Sequence, residues 1–362
     1  MVPAADDAAV GAVGTGPESM EALAQTIPAD EKDDLVHAVT SAGATCFTWD
    51  YERSRPALAK LYESAKTTQW NVSRDIDWSV AVDPWKLAGD LSNPLNGLRH
   101  GYRNEPPFDK LSDAEWLELG VAQQGWVISQ FLHGEQGALI CTAKIVQSVP
   151  WVDAKVYAAT QVMDEARHVE VYSRYLKDKM AHAFPINVHL RSLLDDVVSD
   201  SRWDMTYLGM QIMIEGLALA AFGFQYQMTS DPLLKQITRY VMADEARHMA
   251  FGVLSLREAY AQLSGPEIRE RQEFCYEAAI RMRDRFLSQE VWEWAGLPVR
   301  QCCEVMLNSE VERQFRTMLF SKIVPNLKNL GLLDAGDGWL RERFGDLGVL
   351  RFEHAEDAPV AG

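Results

Sequence analysis

The chain has 362 residues, 47% of them apolar, and a formal charge of −17. That length predicts one large domain, or a domain with appendages, around an ample core. So acidic a chain argues against nucleic acid or an anionic membrane as partner and reads as a solvated surface.

In chain order, residues 1–30 predict a disordered start, and the opening MVPAADDAAVGAVG lacks the basic region of a signal peptide. Residues 31–110 predict an arm, rich from about 45 onward in tryptophan, proline and aspartate (Trp49, Trp70, Trp78, Trp85). We expect it to wrap the core and border the active site. Ser112-Asp113-Ala114-Glu115 is a capping box that opens a first long helix to about 148. A second runs from Pro150 to about 180, and a shorter one over about 186–199 belongs to a long crossover. A third spans about 203–229. Asp231-Pro232 caps a fourth, to about 263, which Gly265-Pro266 stops. Residues 111–263 thus form a helical bundle. Two further amphipathic helices, about 266–295 and 300–330 within 264–352, are expected on its outside, before a disordered tail at 353–362. No apolar run nears the ~18–20 residues of a membrane span; the best, Leu217–Phe224, is broken upstream by Glu215. Cys46, Cys141, Cys275, Cys302 and Cys303 are odd in number and form no CxxC, which suits a reducing cytoplasm and excludes a rubredoxin-like module.

The chemistry is carried by a duplicated pentapeptide. DEARH occurs at 164–168 and at 244–248, giving Glu165/His168 and Glu245/His248, and a lone glutamate precedes each pair by thirty residues, Glu135 and Glu215. Positions i and i+3 share a helix face, so each pair offers a carboxylate and an imidazole in one direction. The breaks fall midway, at Pro150 and at Ser230. Each hairpin goes out ~15 residues, roughly 22 Å, and returns as far, which brings its two glutamates level. Four carboxylates and two imidazoles on four helices are the ligand set of ferritin-like di-iron and di-manganese bundles. The predicted fold is therefore all-α: a ferritin-like four-helix bundle with peripheral helices and an N-terminal arm. Hard oxygen with some imidazole favours two iron ions, with manganese admissible, over zinc or calcium. Phe131, Leu132, Ala138 and Leu139 surround Glu135, and Ile212, Ala218, Leu219 and Phe222 surround Glu215. A charge on such a face is very costly without a cation.

DEARHVEVYSRYL (164–176) and DEARHMAFGVLSL (244–256) resemble the ligand helices of the hydroxylase subunits of bacterial multicomponent monooxygenases. More widely they resemble the superfamily of ribonucleotide reductase small subunits; the resemblance covers about 113–262. It implies Glu135, Glu165 and His168 on one iron and Glu215, Glu245 and His248 on the other, with Glu165 and Glu245 bridging. It also implies that Asp164 and Asp244 accept the free ring N–H of the histidine on the opposite helix, which would fix its tautomer. Their plain alternative is a surface position. Arg167 and Arg247 are expected to neutralise them. The chain departs from these relatives at Leu219, where the hydroxylases carry threonine, and at Val241, where arylamine N-oxygenases carry a further histidine. It also has Glu135 where reductase subunits begin with aspartate. Tyr172 matches their radical tyrosine, one turn after His168, and is the candidate catalytic residue; a core tyrosine is the other reading.

These features predict an oxygen-dependent di-iron monooxygenase or oxidase, with dioxygen as co-substrate, acting on a small organic molecule by C–H or N-oxidation. A tyrosyl-radical or ligand-binding oxidase using Tyr172, and a ferroxidase or iron store, are the alternatives. No flavin, nicotinamide or iron–sulfur motif is visible, so an external electron donor is expected. A homodimer is admissible.

Overall fold

The computed structural model describes residues 17–28, 30–32, 35–93, 96 and 99–355. These are helices and loops, with no β-strand among the described residues. In the order of the chain come α1 (Pro17–Leu23), α2 (Pro56–Thr67) and α3 (Pro84–Gly89), then α4 (Asp113–Ser148), α5 (Val152–Lys179) and α6 (Val188–Ser199). After them come α7 (Trp203–Met228) and α8 (Pro232–Tyr260). The chain continues with α9 (Gly265–Asp284), α10 (Gln289–Trp294), α11 (Val299–Asn308), α12 (Glu310–Met318), α13 (Ile323–Asn329) and α14 (Trp339–Asp346).

Helices α4, α5, α7 and α8 form the ferritin-like bundle. The α4–α5 hairpin packs along most of its length, and α7 and α8 form the second pair. Local chemistry sets the ends. Ser112 and Glu115 cap α4 reciprocally, and Asp231 caps α8 by accepting from the Leu233 N–H at 2.8 Å. Gly252 of α8 lets the pair close up: a Cβ there would lie 2.6 Å from Gln211 Cβ on α7.

Helix α7 is not regular. Leu208–Ile214 is a π-helical segment, and all seven of its residues are buried. It ends directly at Glu215, which π-bulges near functional groups commonly do. By length and apolarity α7 could cross a membrane, contrary to the sequence reading. Its most apolar stretch is 83% buried inside the structure, however.

Further differences concern the ends. Disorder is expected through residue 30, but α1 places Met20 and Leu23 in a second core with Trp126, Trp292 and Cys302, and Ile27 after it is also buried. Three apolar side chains in a polar-looking segment are enough to dock it. The expected tail from 353 also begins ordered, because the Glu353 carboxylate takes Arg341 at 2.8 Å and Lys328 at 2.6 Å. Residues 1–16 and 356–362, the remainder of the expected disorder, lie outside the described residues.

The two outer helices are broken. The first ends at Asp284, and Ser288, in the left-handed region with φ 55°, turns the chain into α10. The second is α11, α12 and α13, interrupted at the extended Ser309 and after Met318. Nor do they lie wholly outside. Ile323, Val324 and Leu327 are fully buried, and Ile323 Cγ1 would sit 3.0 Å from a Cβ on Gly216 in α7.

Candidate metal centre

The structure brings all six candidate ligands to one level of the bundle, each at most 5% exposed. Glu135 comes from α4, Glu165 and His168 from α5, Glu215 from α7, and Glu245 and His248 from α8. His168 Nδ1 lies 3.2 Å from one oxygen each of Glu135, Glu165 and Glu245. His248 Nδ1 lies 3.1 Å from Glu165, 3.4 Å from Glu245 and 4.0 Å from Glu215. Glu165 and Glu245 each turn one oxygen toward each histidine. Two donor clusters result, one of Glu135, Glu165, His168 and Glu245, the other of Glu165, Glu215 and His248, with the donor atoms of each within 4.8 Å of one another. Their composition is that of a dinuclear iron or manganese site.

The rings are oriented from behind and across the bundle. His168 Nε2 faces Asp244 Oδ2 at 3.1 Å, and His248 Nε2 faces Asp164 Oδ2 at 3.2 Å. That places a proton on each Nε2 and turns each Nδ1 toward the carboxylates. Both aspartates are fully buried, so the surface alternative does not hold. Arg167 pairs with Asp164 and reaches Asp244 at 3.3 Å; Arg247 pairs with Asp244 and reaches Asp164 at 3.5 Å.

The electrostatics fit two divalent cations. Burial, followed by the Glu245 and Glu165 charges, pushes the Glu135 carboxyl up to about 8 against the pull of His168. Burial and the Glu245 charge drive Glu215 well above the ordinary range. Burial opposes protonation of both histidines, yet the surrounding carboxylates hold both imidazolium forms far above their ordinary value. Protons are drawn in wherever positive charge is short. One oxygen each of Glu215 and Glu245, and His248 Nδ1, have no hydrogen-bond partner. Four carboxylate charges are matched by two dications, and the unpaired donor atoms are the ones such ions would take.

No family model and no curated protein matches the chain. Its likeness is to solved structures of an R2-like ligand-binding oxidase. One, a variant with an anaerobically reconstituted Mn/Fe cofactor, is 18% identical, covering 77% of this chain and 94% of that one at a TM-score of 0.47. Another, with an aerobically reconstituted metal cofactor after photoconversion, is 16% identical over the same shares, also at 0.47. A third, a variant with an aerobically reconstituted Mn/Fe cofactor, is 17% identical, covering 85% and 95% at 0.43.

Tyr172 is fully buried between Phe131 and Phe222, with ring centroids 5.9 and 6.0 Å away. Burial, then the Glu135 charge, raises its phenol well above the ordinary value, while His168 and the neighbouring Thr238 hydroxyl draw it back. Neither hydroxyl has a hydrogen bond of normal geometry. The phenol thus lies beside the Thr238 hydroxyl and within the field of Glu135 and His168.

Other residues of the site escape the sequence reading. Gln161 donates to Glu165 at 2.9 Å and to Glu215 at 2.7 Å, tying one carboxylate of each hairpin together. It lies one turn before Glu165, so helical spacing could have found it. Trp70, from the arm, donates its indole N–H to Asp244 at 2.8 Å and stacks near His168 at 6.3 Å. Gln69 donates to Asp164 at 3.1 Å and accepts from Arg167. The arm borders the centre through these two side chains, and no local pattern marks them.

Proposed function

We propose that the chain is a dimetal oxidase that reduces dioxygen beside a bound organic ligand, with C–H or N-oxidation of that ligand as the reaction class. The observation that carries this is the paired cluster itself, in which Glu165 and Glu245 each turn an oxygen to both histidines. When bound, two redox-active divalent ions supply the electrons for dioxygen reduction. In this reading Glu135, Glu165 and His168 hold one ion, and Glu215, Glu245 and His248 the other. Asp164 and Asp244 keep the imidazole lone pairs forward, while Arg167 and Arg247 balance those acids. Gln161 holds Glu165 and Glu215 in place. Phe131, Phe222 and Ile214 wall a small cavity beside Glu135, Glu215 and Glu245 and keep bulk water from it.

Electrons for repeated turnover would come from an external donor. All five cysteines are free thiols, four of them buried, which supports a reducing compartment such as the cytoplasm. A radical role for Tyr172 needs a well-made hydrogen bond to take its proton, and its hydroxyl has none of normal geometry, so the ligand-binding oxidase is favoured over the radical generator. A ferroxidase or store is disfavoured by the enclosed apolar surroundings. Mixing the ferrous protein with oxygen under stopped flow separates these readings. We expect transient visible absorption and a stable end state near two irons per chain; accumulation of tens of irons as mineral would make it a store.

A further inference from the structure

The core of the bundle differs on the two sides of the metal centre. On one side lie Phe131, Ala221 and Phe222. On the other, toward the end where Trp151 and Trp203 meet at 5.2 Å, the ligand-bearing helices carry polar side chains. One turn from the ligands stand Gln161, before Glu165, and Gln211, before Glu215 and within the π-helical segment. Two turns away stand Thr142 on α4, Tyr157 on α5, Tyr207 on α7 and Ser255 on α8. All six are at most 1% exposed. Phe251 packs between the two phenols, its ring centroid 4.3 Å from that of Tyr157 and 5.1 Å from that of Tyr207. Seven atoms of these side chains have no hydrogen-bond partner of normal geometry among the described residues: Thr142 Oγ1, Tyr157 OH, Gln161 Oε1, Tyr207 OH, both amide atoms of Gln211, and Ser255 Oγ. Buried polar groups are nearly always paired, and seven left dry would offset most of the net stability of a domain. Hydroxyls and amides donate and accept as water does, and they offer an ion no balancing charge. A buried water makes about three hydrogen bonds, so about two or three waters would satisfy the column.

We propose that this column binds a short chain of water and is the proton path of the metal centre. It rests on the oxidase reading for its purpose, but not for its water. Oxygenation of a ligand R–H by dioxygen and two ferrous ions gives R–OH, water and two ferric ions, and takes up two protons. The six ligands are at most 5% exposed, so those protons need a polar route from solvent. The column spans about 12 Å from Glu165 to Tyr157, at 1.5 Å per residue. It opens at Asp204, one turn before Tyr207, whose side chain is 12% exposed and pairs with Arg271 at 2.9 Å. A proton entering there passes through water along the hydroxyls of Tyr207, Ser255 and Tyr157. It reaches the ligand level at Gln211 and at Gln161, which donates to Glu165 and Glu215. Each hydroxyl releases one proton as it takes the next, so none has to hold a charge.

A crystal structure of the full chain, at a resolution that shows water, tests the binding. We expect ordered water bonded to Gln211 and to at least two of Tyr157, Tyr207 and Ser255; a dry column overturns the proposal. Melting tests it a second way. Gln211→Met keeps the length of the side chain and removes the amide. Losing a dry, unpaired amide would raise the melting temperature by several degrees, whereas losing a hydrated one should not, so a rise overturns the proposal. The path itself is tested by mixing the ferrous protein with oxygen, with a pH-indicator dye reporting proton uptake. Gln211→Met and Tyr207→Phe should each keep two metal ions per chain and slow proton uptake and iron oxidation at least fivefold. The rate ratio between light and heavy water should exceed that of the parent. Ser255→Ala, the smallest change, should slow both at least twofold and keeps the test informative if the other variants fold poorly. Unchanged rates in the metal-loaded variants overturn the path. A parent that holds two ions and consumes no oxygen overturns the oxidase reading instead, and the crystal and melting results still decide on the water.

Discussion

Asp244→Asn tests how the protein holds its metal-facing imidazoles. Asp244 accepts from His168 Nε2 at 3.1 Å, from Trp70 Nε1 at 2.8 Å, from Arg167 at 3.3 Å and from Arg247. Asparagine keeps the size and removes the charge. A hydrogen bond to a charged group contributes about 1.5–3 kcal/mol. Loss of such an orienting partner lowers metal affinity about 10–100-fold, or about 1.4–2.7 kcal/mol. The two estimates agree, so we expect a loss of that size on the His168 side. Asp164 still serves His248 at 3.2 Å, so the second ion should be affected less. Anaerobic titration of metal-free protein with ferrous ion against a competing chelator should then show two unequal steps. Trp70→Phe, which deletes one donor and no charge, should cost less than tenfold. Affinities unchanged within threefold in a folded Asp244→Asn protein would refute the orienting role.

Tyr172→Phe should leave dioxygen consumption near the parent rate, and electron paramagnetic resonance after oxygenation should show no persistent tyrosyl radical in either protein. A long-lived radical in the parent that vanishes in the variant would move the reading to a radical generator. Away from the centre, Glu290 is 3% exposed and bonded by Trp126 at 2.7 Å and Asn187 at 3.0 Å; burial raises its carboxyl to about 7. A raised folded pKa favours the protonated form, so its contribution to stability is complete below about 4.5 and is lost as pH rises through about 7, roughly 3 kcal/mol in all. The unfolding free energy of the parent should therefore fall relative to Glu290→Gln across that window, and a constant difference by urea titration would contradict it.

The bundle was legible because its ends are written in local chemistry. Pro150, Asp231-Pro232 and the Ser112/Glu115 box each determine a boundary within a few residues, and the duplicated DEARH supplies the register. The π-helical segment before Glu215 was not, since residues 208–214 are apolar apart from Gln211, all seven are buried, and they carry no periodicity to lose. The break after Asp284 was equally silent, because it turns on Ser288 in a left-handed conformation that serine rarely adopts. At the centre, the six ligands and the crossed aspartates follow from helical spacing and from resemblance. Trp70 meets Asp244 across 174 residues of sequence, a contact only the tertiary fold creates.

The central claim is that Glu135, Glu165, His168, Glu215, Glu245 and His248 together hold two metal ions. Elemental analysis of the purified protein, beside a folded His168→Ala, His248→Ala double variant, tests it most directly. We predict close to two iron or manganese ions per chain in the parent and loss of most of them in the variant. Near-full occupancy without either imidazole, or a parent that binds no metal, would contradict it.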